Sequence, residues 1–305
     1  MKVAVLGAGD LGRDFAQVAA GAGHAVRLHD SDANTVMDAI DDVERRLRDA
    51  VDAGDLTHTD REETLDHIDA TTGLDAAVTE AEFVLETAAV DANALQERFA
   101  ELEEHVDRDA IVATTAEGVS ITAAAAGLRH PDRAIGVRLV DPLETPVVEI
   151  VVADQTVGTT LERVESLVDS LARVAAVVRD HPGVVSTRLA LITEVEAMRV
   201  LEDGVAAVPD VDDAVALRYD LPMGPLERAD RAGLDRRLAV LEYLADRLGE
   251  RFEPPQVLYD LVDGGHTGAE SGTGFYEWEN GEPGASALPD PEIVERVAGP
   301  DDPAR

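Results

Sequence analysis

The sequence predicts an α/β fold, an N-terminal doubly wound sheet followed by an all-helical C-terminal domain. Three observations carry this. Short β-branched apolar runs alternate with amphipathic stretches across residues 1–180. A glycine-rich turn joins the first run to the first helical stretch. After His181-Pro182-Gly183 the strand pattern stops, and apolar residues recur at helical spacing instead. At 305 residues the chain is long enough for two domains. The expected division is 1–180, 181–278 and an acidic, disordered tail over 279–305, where Pro, Gly and acids dominate.

Lys2 to Leu6 reads as a buried parallel strand. Gly7-Ala8-Gly9-Asp10-Leu11-Gly12 follows, and a helix begins inside it with Leu11, Phe15, Val18 and Ala19 on one face. Gly21 and Gly23 stop that helix, and Ala25 to Asp30 form a second strand with Asp30 at its tip. This is the order and spacing of a dinucleotide site on a Rossmann-type sheet. Gly7 permits the sharp turn, Gly9 lets the pyrophosphate approach the backbone, and Gly12 lets helix and strand pack closely. With Asp10 and Leu11, these glycines open a helix whose free N–H groups suit phosphate. Asp30 is placed to accept a ribose 2′-OH and to repel a 2′-phosphate, so the expected cofactor is NAD and not NADP.

The remaining elements follow in order. Asn34 to Ala53 is a long helix ended by Gly54, and Asp60 to Leu65 is a shorter one with Thr59 or Asp60 near its cap. Strands are expected at Ile68–Thr72, Phe83–Glu86, Ala110–Thr114, Ala134–Val140, Val147–Val152 and Val174–Val178. A helix around Ala94–Glu104 and another capped by Thr156 lie among them. In the second domain Val184–Ala207 reads as one long helix, and Asp210 starts another. Pro222-Met223-Gly224-Pro225 breaks the chain, Leu226–Leu248 is helical, and Pro254-Pro255 precede a helix to Val262.

Composition narrows the function. No cysteine is present, which excludes disulfides, thiolate metal sites and a cysteine nucleophile, and no metal site is expected. No apolar stretch is long enough to span a bilayer, and the chain enters its first strand at once, leaving no room for a signal peptide. A cytoplasmic location is expected. The net charge is −37, with Asp+Glu 63 against Lys+Arg 26, and Lys2 is the only lysine. The acids are dispersed and not gathered in one block, which suits a hydrated surface in a high-salt cytosol. No basic stripe exists for nucleic acid.

Motifs in the second half carry a resemblance. Pro182-Gly183 with Arg188, Glu196-Ala197, Glu202 to Ala206, Asp212, Pro222 to Glu227, Asp230, Gly233-Leu234-Asp235 and Gly272 to Tyr276 are similar to the L-3-hydroxyacyl-CoA dehydrogenase family. The resemblance covers nearly the full length of the chain, to Trp278. It implies NAD-dependent oxidation of a 3-hydroxyacyl-CoA in a cleft between domains, and a homodimer built through the C-terminal domain. It also exposes departures. Arg138 stands at the family's catalytic histidine, in Gly136-Val137-Arg138-Leu139-Val140-Asp141-Pro142, and Asp141 stands at an asparagine. Glu149 matches the glutamate that orients that histidine. Glu117 replaces a substrate-binding serine, Thr187 an asparagine, and Val90 and Leu95 a glutamate and a lysine. Arginine stays protonated and has no acceptor, so Arg138 holds an anion and cannot be the base. Of the histidines, His130 and His266 read as surface residues, and His181 at the junction is the one alternative base. Three readings stand: a dehydrogenase of the 3-hydroxyacyl-CoA type, a catalytically degraded NAD-binding relative, or a dehydrogenase of a carboxylate-bearing hydroxy acid clamped by Arg138.

Overall fold

The computed structural model describes residues 1–88, 92–116, 118–139, 143 and 145–291. The chain separates into two compact units, Met1–Val184 and the chain from Val185 onward.

The first unit is built on β1 (Lys2–Leu6), α1 (Asp10–Gly21), β2 (Ala25–His29), α2 (Ala33–Ala53), α3 (His58–Asp66), β3 (Ile68–Thr71), α4 (Leu74–Val78) and β4 (Phe83–Glu86). It continues with α5 (Ala92–Leu102), β5 (Ile111–Thr114), α6 (Ile121–Ala125), β6 (Ala134–Leu139), β7 (Val147–Val152), α7 (Gly158–Ser170) and β8 (Val174–Arg179). The strands form an 8-stranded sheet in the order β3-β2-β1-β4-β5-β6-β7-β8. All neighbours run parallel except β6 and β7. Strand order reverses between β1 and β4, the switch point where ligands enter sheets of this kind.

Both sheet faces are covered, which is why the strands read as apolar runs. Val3, Val5, Phe83, Leu85, Ile111 and Ile135 pack with Phe15 and Ala19 of α1 and Val164 and Leu167 of α7. Ala4, Leu6, Val84 and Val112 meet Leu95 and Phe99 of α5 on the other face.

Several local expectations change. The cap of α3 is Thr57 and not Thr59 or Asp60, because Thr57 and Asp60 form a reciprocal capping box. Thr156 does not cap α7; Val157 occupies that position, with no side-chain bond. The Thr156 hydroxyl instead donates to the Ala134 carbonyl at 2.7 Å and accepts from the Ala153 N–H at 3.0 Å. The short helices α4 and α6 were too brief to show a period.

The second unit contains α8 (Ser186–Glu202), α9 (Val208–Tyr219), α10 (Pro225–Ala232), α11 (Leu234–Leu248) and α12 (Gln256–Asp263). Leu191, Val195, Met198, Leu226, Leu241, Leu244, Leu258 and Phe275 form its core. The expected helix Val184–Ala207 is shorter, and Leu226–Leu248 is two helices split at Gly233, whose φ is +88°. The unit is not purely helical. β9 (Tyr276–Glu279) and β10 (Glu282–Ser286) pair as an antiparallel hairpin, and Leu288 packs on the core. The acidic stretch expected to be disordered from Glu279 is therefore structured here as far as the described residues extend, to 291. A Pro- and Gly-rich composition hid a strand whose pairing partner lies just before it.

Candidate functional site

At the switch point the chain does what its glycines require. Gly7 has a φ of +104°, and its N–H donates to the His29 carbonyl at 2.8 Å, tying β1 to β2. A Cβ on Gly12 would overlap the Gly7 carbonyl oxygen, so only glycine allows α1 to start so close to the turn. Gly9 differs. It is exposed, and a Cβ there would meet nothing within 4 Å. It is also the N-cap of α1, and no side chain caps the helix. A helix N-terminus without a side-chain cap, opening on free space, is what a pyrophosphate needs.

Asp30 stands beside this loop. Its Oδ2 accepts the Ala8 N–H at 3.1 Å and its Oδ1 accepts the Asp32 N–H at 3.1 Å. A carboxylate has about four lone-pair sites, so acceptor capacity remains for ribose hydroxyls. The structure thus brings Gly7, Gly9, Gly12 and Asp30 together. Leu11 is half-buried, and the exposed Asp10 carboxylate pairs with Arg13 at 2.9 Å. Arg13 also binds Asp14 and Asp42, both at 2.9 Å, which fastens α1 to α2. Burial tends to lower the Arg13 pKa, but these carboxylates outweigh it and raise the pKa. The residues present fit NAD.

Two residues that the sequence reading passed over support the loop from β4. Thr87 follows β4, and its hydroxyl donates to the Leu6 carbonyl at 2.9 Å, with the Gly7 carbonyl at 3.2 Å. Glu86, buried at the end of β4, accepts the Ala88 N–H at 2.7 Å and pairs with Arg98 at 3.1 Å. A Glu-Thr pair ending an apolar run was the available signal. Its meaning depends on β4 lying next to β1.

Arg138 and Glu149 face each other across the antiparallel β6–β7 ladder. Arg138 is 8% exposed and Glu149 5%. Directly opposed residues hold their Cβ atoms about 5 Å apart, so the two side chains share one face at the C-terminal end of β6. Gly136, two residues earlier, lies opposite Val151, and a Cβ there would press on Val151 and on Ile121 of α6 at 2.8 and 3.0 Å.

Glu117, Val90 and Asp141 lie outside the described residues. Leu95 is on α5, buried in the core against the sheet. Thr187 is buried in the first turn of α8, in the second unit. His181 and His266 are exposed, and the backbone N–H of the half-buried His130 donates to Glu103 at 2.9 Å.

The second unit's own motifs build a carboxylate staple. Asp230, 1% exposed, accepts the Phe275 N–H at 2.9 Å, the Tyr276 N–H at 3.0 Å and the Trp278 Nε1–H at 2.9 Å. Asp212 accepts the Leu226 and Glu227 N–H groups, both at 2.8 Å, and the Tyr276 hydroxyl at 2.9 Å. It thereby caps α10 from a neighbouring helix. Burial pushes the pKa of both aspartates up against these hydrogen bonds. Burial and Asp212 also raise the Tyr276 pKa. Among the described residues no helix is long and apolar enough to cross a membrane.

Residues 2–181 match the family model described as 3-hydroxyacyl-CoA dehydrogenase, NAD binding domain, and residues 183–278 match its C-terminal domain. The chain is 36% identical over 281 residues to 3-hydroxyadipyl-CoA dehydrogenase of Escherichia coli, covering 90% of this chain and 58% of that protein. It is 32% identical over 282 residues to the probable 3-hydroxybutyryl-CoA dehydrogenase of Bacillus subtilis, covering 91% of this chain and 97% of that one. The crystal structure of M. tuberculosis FadB2 superposes with a TM-score of 0.86 at 31% identity, covering 91% of this chain and 98% of that chain.

Proposed function

Because the chain belongs to the 3-hydroxyacyl-CoA dehydrogenase family, we propose that it binds NAD(H) and interconverts a 3-hydroxyacyl thioester with its 3-oxoacyl form, slowly, with Arg138 where relatives carry their base. NAD, when bound, supplies the hydride acceptor. The turn that Gly7 and Gly12 permit would present Gly9 and the first amides of α1 to its pyrophosphate, Asp30 would hold the adenosine ribose, and Thr187 stands where the resemblance places an asparagine.

The observation that carries this reading is the buried cross-strand pair Arg138–Glu149. Glu149 keeps the orienting position that the resemblance assigns to it, directly across the ladder from Arg138. That cation stabilises the developing oxyanion on the substrate's 3-oxygen. It does not take the hydroxyl proton, since arginine stays charged near neutrality. General acid–base help is worth about 10²–10⁴-fold, and that factor is what the wild type forgoes.

The test follows NADH absorbance with acetoacetyl-CoA in molar potassium chloride. Slow turnover is expected, with a gain in the triple variant Arg138→His, Glu117→Ser, Thr187→Asn. Brisk wild-type turnover would sink the assignment and point to another base such as His181. NADH should bind more tightly than NADPH by calorimetry; equal binding would remove the role given to Asp30.

The active species is a homodimer through the second unit, in a salt-rich cytoplasm. Leu189 of α8 (62% exposed), Leu217 of α9 (81%) and Tyr219 of α9 (68%) support the interface. The charge of −37 supports the salt requirement. Light scattering in high salt checks the first, with a monomer mass against it. Melting in dilute buffer and in molar potassium chloride checks the second, with equal midpoints against it.

A further inference from the structure

We propose that Thr87 is a positioning residue for the dinucleotide loop, setting NAD affinity by holding the peptide unit between Gly7 and Ala8. The inference rests on the NAD reading of the first unit and adds a residue to it.

The Gly7–Ala8 peptide unit is held at both ends. Its N–H, on Ala8, donates to Asp30 Oδ2 at 3.1 Å. Its carbonyl, on Gly7, lies 3.2 Å from the Thr87 hydroxyl. With both ends held, rotation of this plane is restrained, and with it the direction from which the backbone enters the Gly9 and Asp10 amides. Those amides open α1, where no side chain caps the helix. They are the groups a pyrophosphate meets.

The same hydroxyl fills space. It lies where a Cβ on Gly7 would go, and a Cβ on Gly12 would come within 3.1 Å of it. Two segments 80 residues apart therefore close on one oxygen: the turn after β1 with the first turn of α1, and the residue after β4. Thr87 is itself anchored, because Glu86 accepts the Ala88 N–H at 2.7 Å.

The geometry separates this role from stability. The Leu6 carbonyl accepts the Thr87 backbone N–H at 2.8 Å, and it shares the single Thr87 hydroxyl proton, at 2.9 Å, with the Gly7 carbonyl. Removing the hydroxyl leaves that buried acceptor satisfied, so folding should suffer little. What is lost is the hold on the Gly7 carbonyl.

The experiment compares wild type, Thr87→Val, which keeps the shape, and Thr87→Ser, which keeps the hydroxyl. The full chain in molar potassium chloride is titrated with NADH and with ADP-ribose, and the ligand-free protein is melted. Thr87→Val should weaken both ligands about 3- to 10-fold, the worth of one hydrogen bond. Thr87→Ser should bind like wild type, and all three should melt alike. Should Thr87→Val not fold, Thr87→Ala read against Thr87→Ser decides the same question. Wild-type affinity in Thr87→Val, a Thr87→Ser defect as large, or a loss for NADH that spares ADP-ribose overturns the proposal. A wild type that binds neither ligand overturns the NAD reading and this inference together.

Discussion

The two units use the same residue types, glycine and aspartate, to opposite ends. In the first, Gly9 faces open space and α1 has no side-chain cap, while Asp30 spends its bonds on the Ala8 and Asp32 amides and keeps acceptor capacity in reserve. In the second, a Cβ on Gly224 would strike the Asp212 carboxylate, and one on Gly274 would strike that of Asp230. Those carboxylates accept three hydrogen bonds each. A motif of small residues and acids marks a binding site when its donors stay unspent. It marks a structural joint when protein groups have already taken them. The difference is one of hydrogen-bond accounting and is invisible in residue identity.

Breaking the joint should give the largest effect. Asp230→Ala leaves two backbone N–H groups and the Trp278 indole N–H buried without their partner, and should cost about 3–5 kcal/mol. Chemical denaturation in high salt measures it. Loss of less than half that would mean the hairpin has other anchors.

Glycine substitutions sharpen the contrast. Gly224→Ala drives a methyl group into Asp212 and should destabilise by about 1–3 kcal/mol, the usual cost of overpacking, while NADH affinity in the surviving fold stays at the wild-type value. Gly9→Ala should do the reverse. Its φ of −66° suits alanine and nothing is struck, so the melting midpoint should hold. The methyl group then stands between pyrophosphate and amides, and NADH should bind about 10- to 100-fold more weakly. A Gly9→Ala protein that binds NADH normally would remove the loop from the site.

The smallest effect concerns pH. Burial raises the folded pKa of Asp212 above the ordinary value of 3.8. The folded state therefore binds the proton more tightly than the unfolded chain. Stability from this group is fully present below 3.8 and falls as pH rises through the folded value. The slope is at most about 1.4 kcal/mol per pH unit. Asp212→Asn should flatten the stability profile in that acidic window and leave the slope elsewhere unchanged, as denaturation at stepped pH would show. Parallel profiles for the two proteins would mean that Asp212 titrates alike in both states.

Much of the first unit was legible because its signals are local. Lys2–Leu6, the glycines at 7, 9 and 12, and Asp30 fall within one βαβ unit, where spacing along the chain already determines spacing in the fold. The succession of the remaining strands along the chain also follows the apolar runs, whereas their order in the sheet does not. Short-range competition produced the local misses. Thr57 rather than Thr59 caps α3 because Asp60 can return a bond to the Thr57 backbone, and Gly233 cuts a helix whose leucine spacing continues through it.

The sequence by itself determined the dinucleotide loop, the alternating sheet, the family motifs and the arginine at the histidine position. Only the tertiary structure decided what those residues face. It set β4 against β1, which brings Thr87 onto the Gly7 carbonyl, and it paired Arg138 with Glu149 across an antiparallel ladder. It also turned Asp212 and Asp230 inward as anchors for α10 and for Phe275 to Trp278. The physical reason is range. Helix caps, glycine turns and apolar periods are settled by neighbours a few residues away. A buried carboxylate or hydroxyl takes its role from whichever donors and acceptors the fold brings within about 3 Å, however distant they are in the chain.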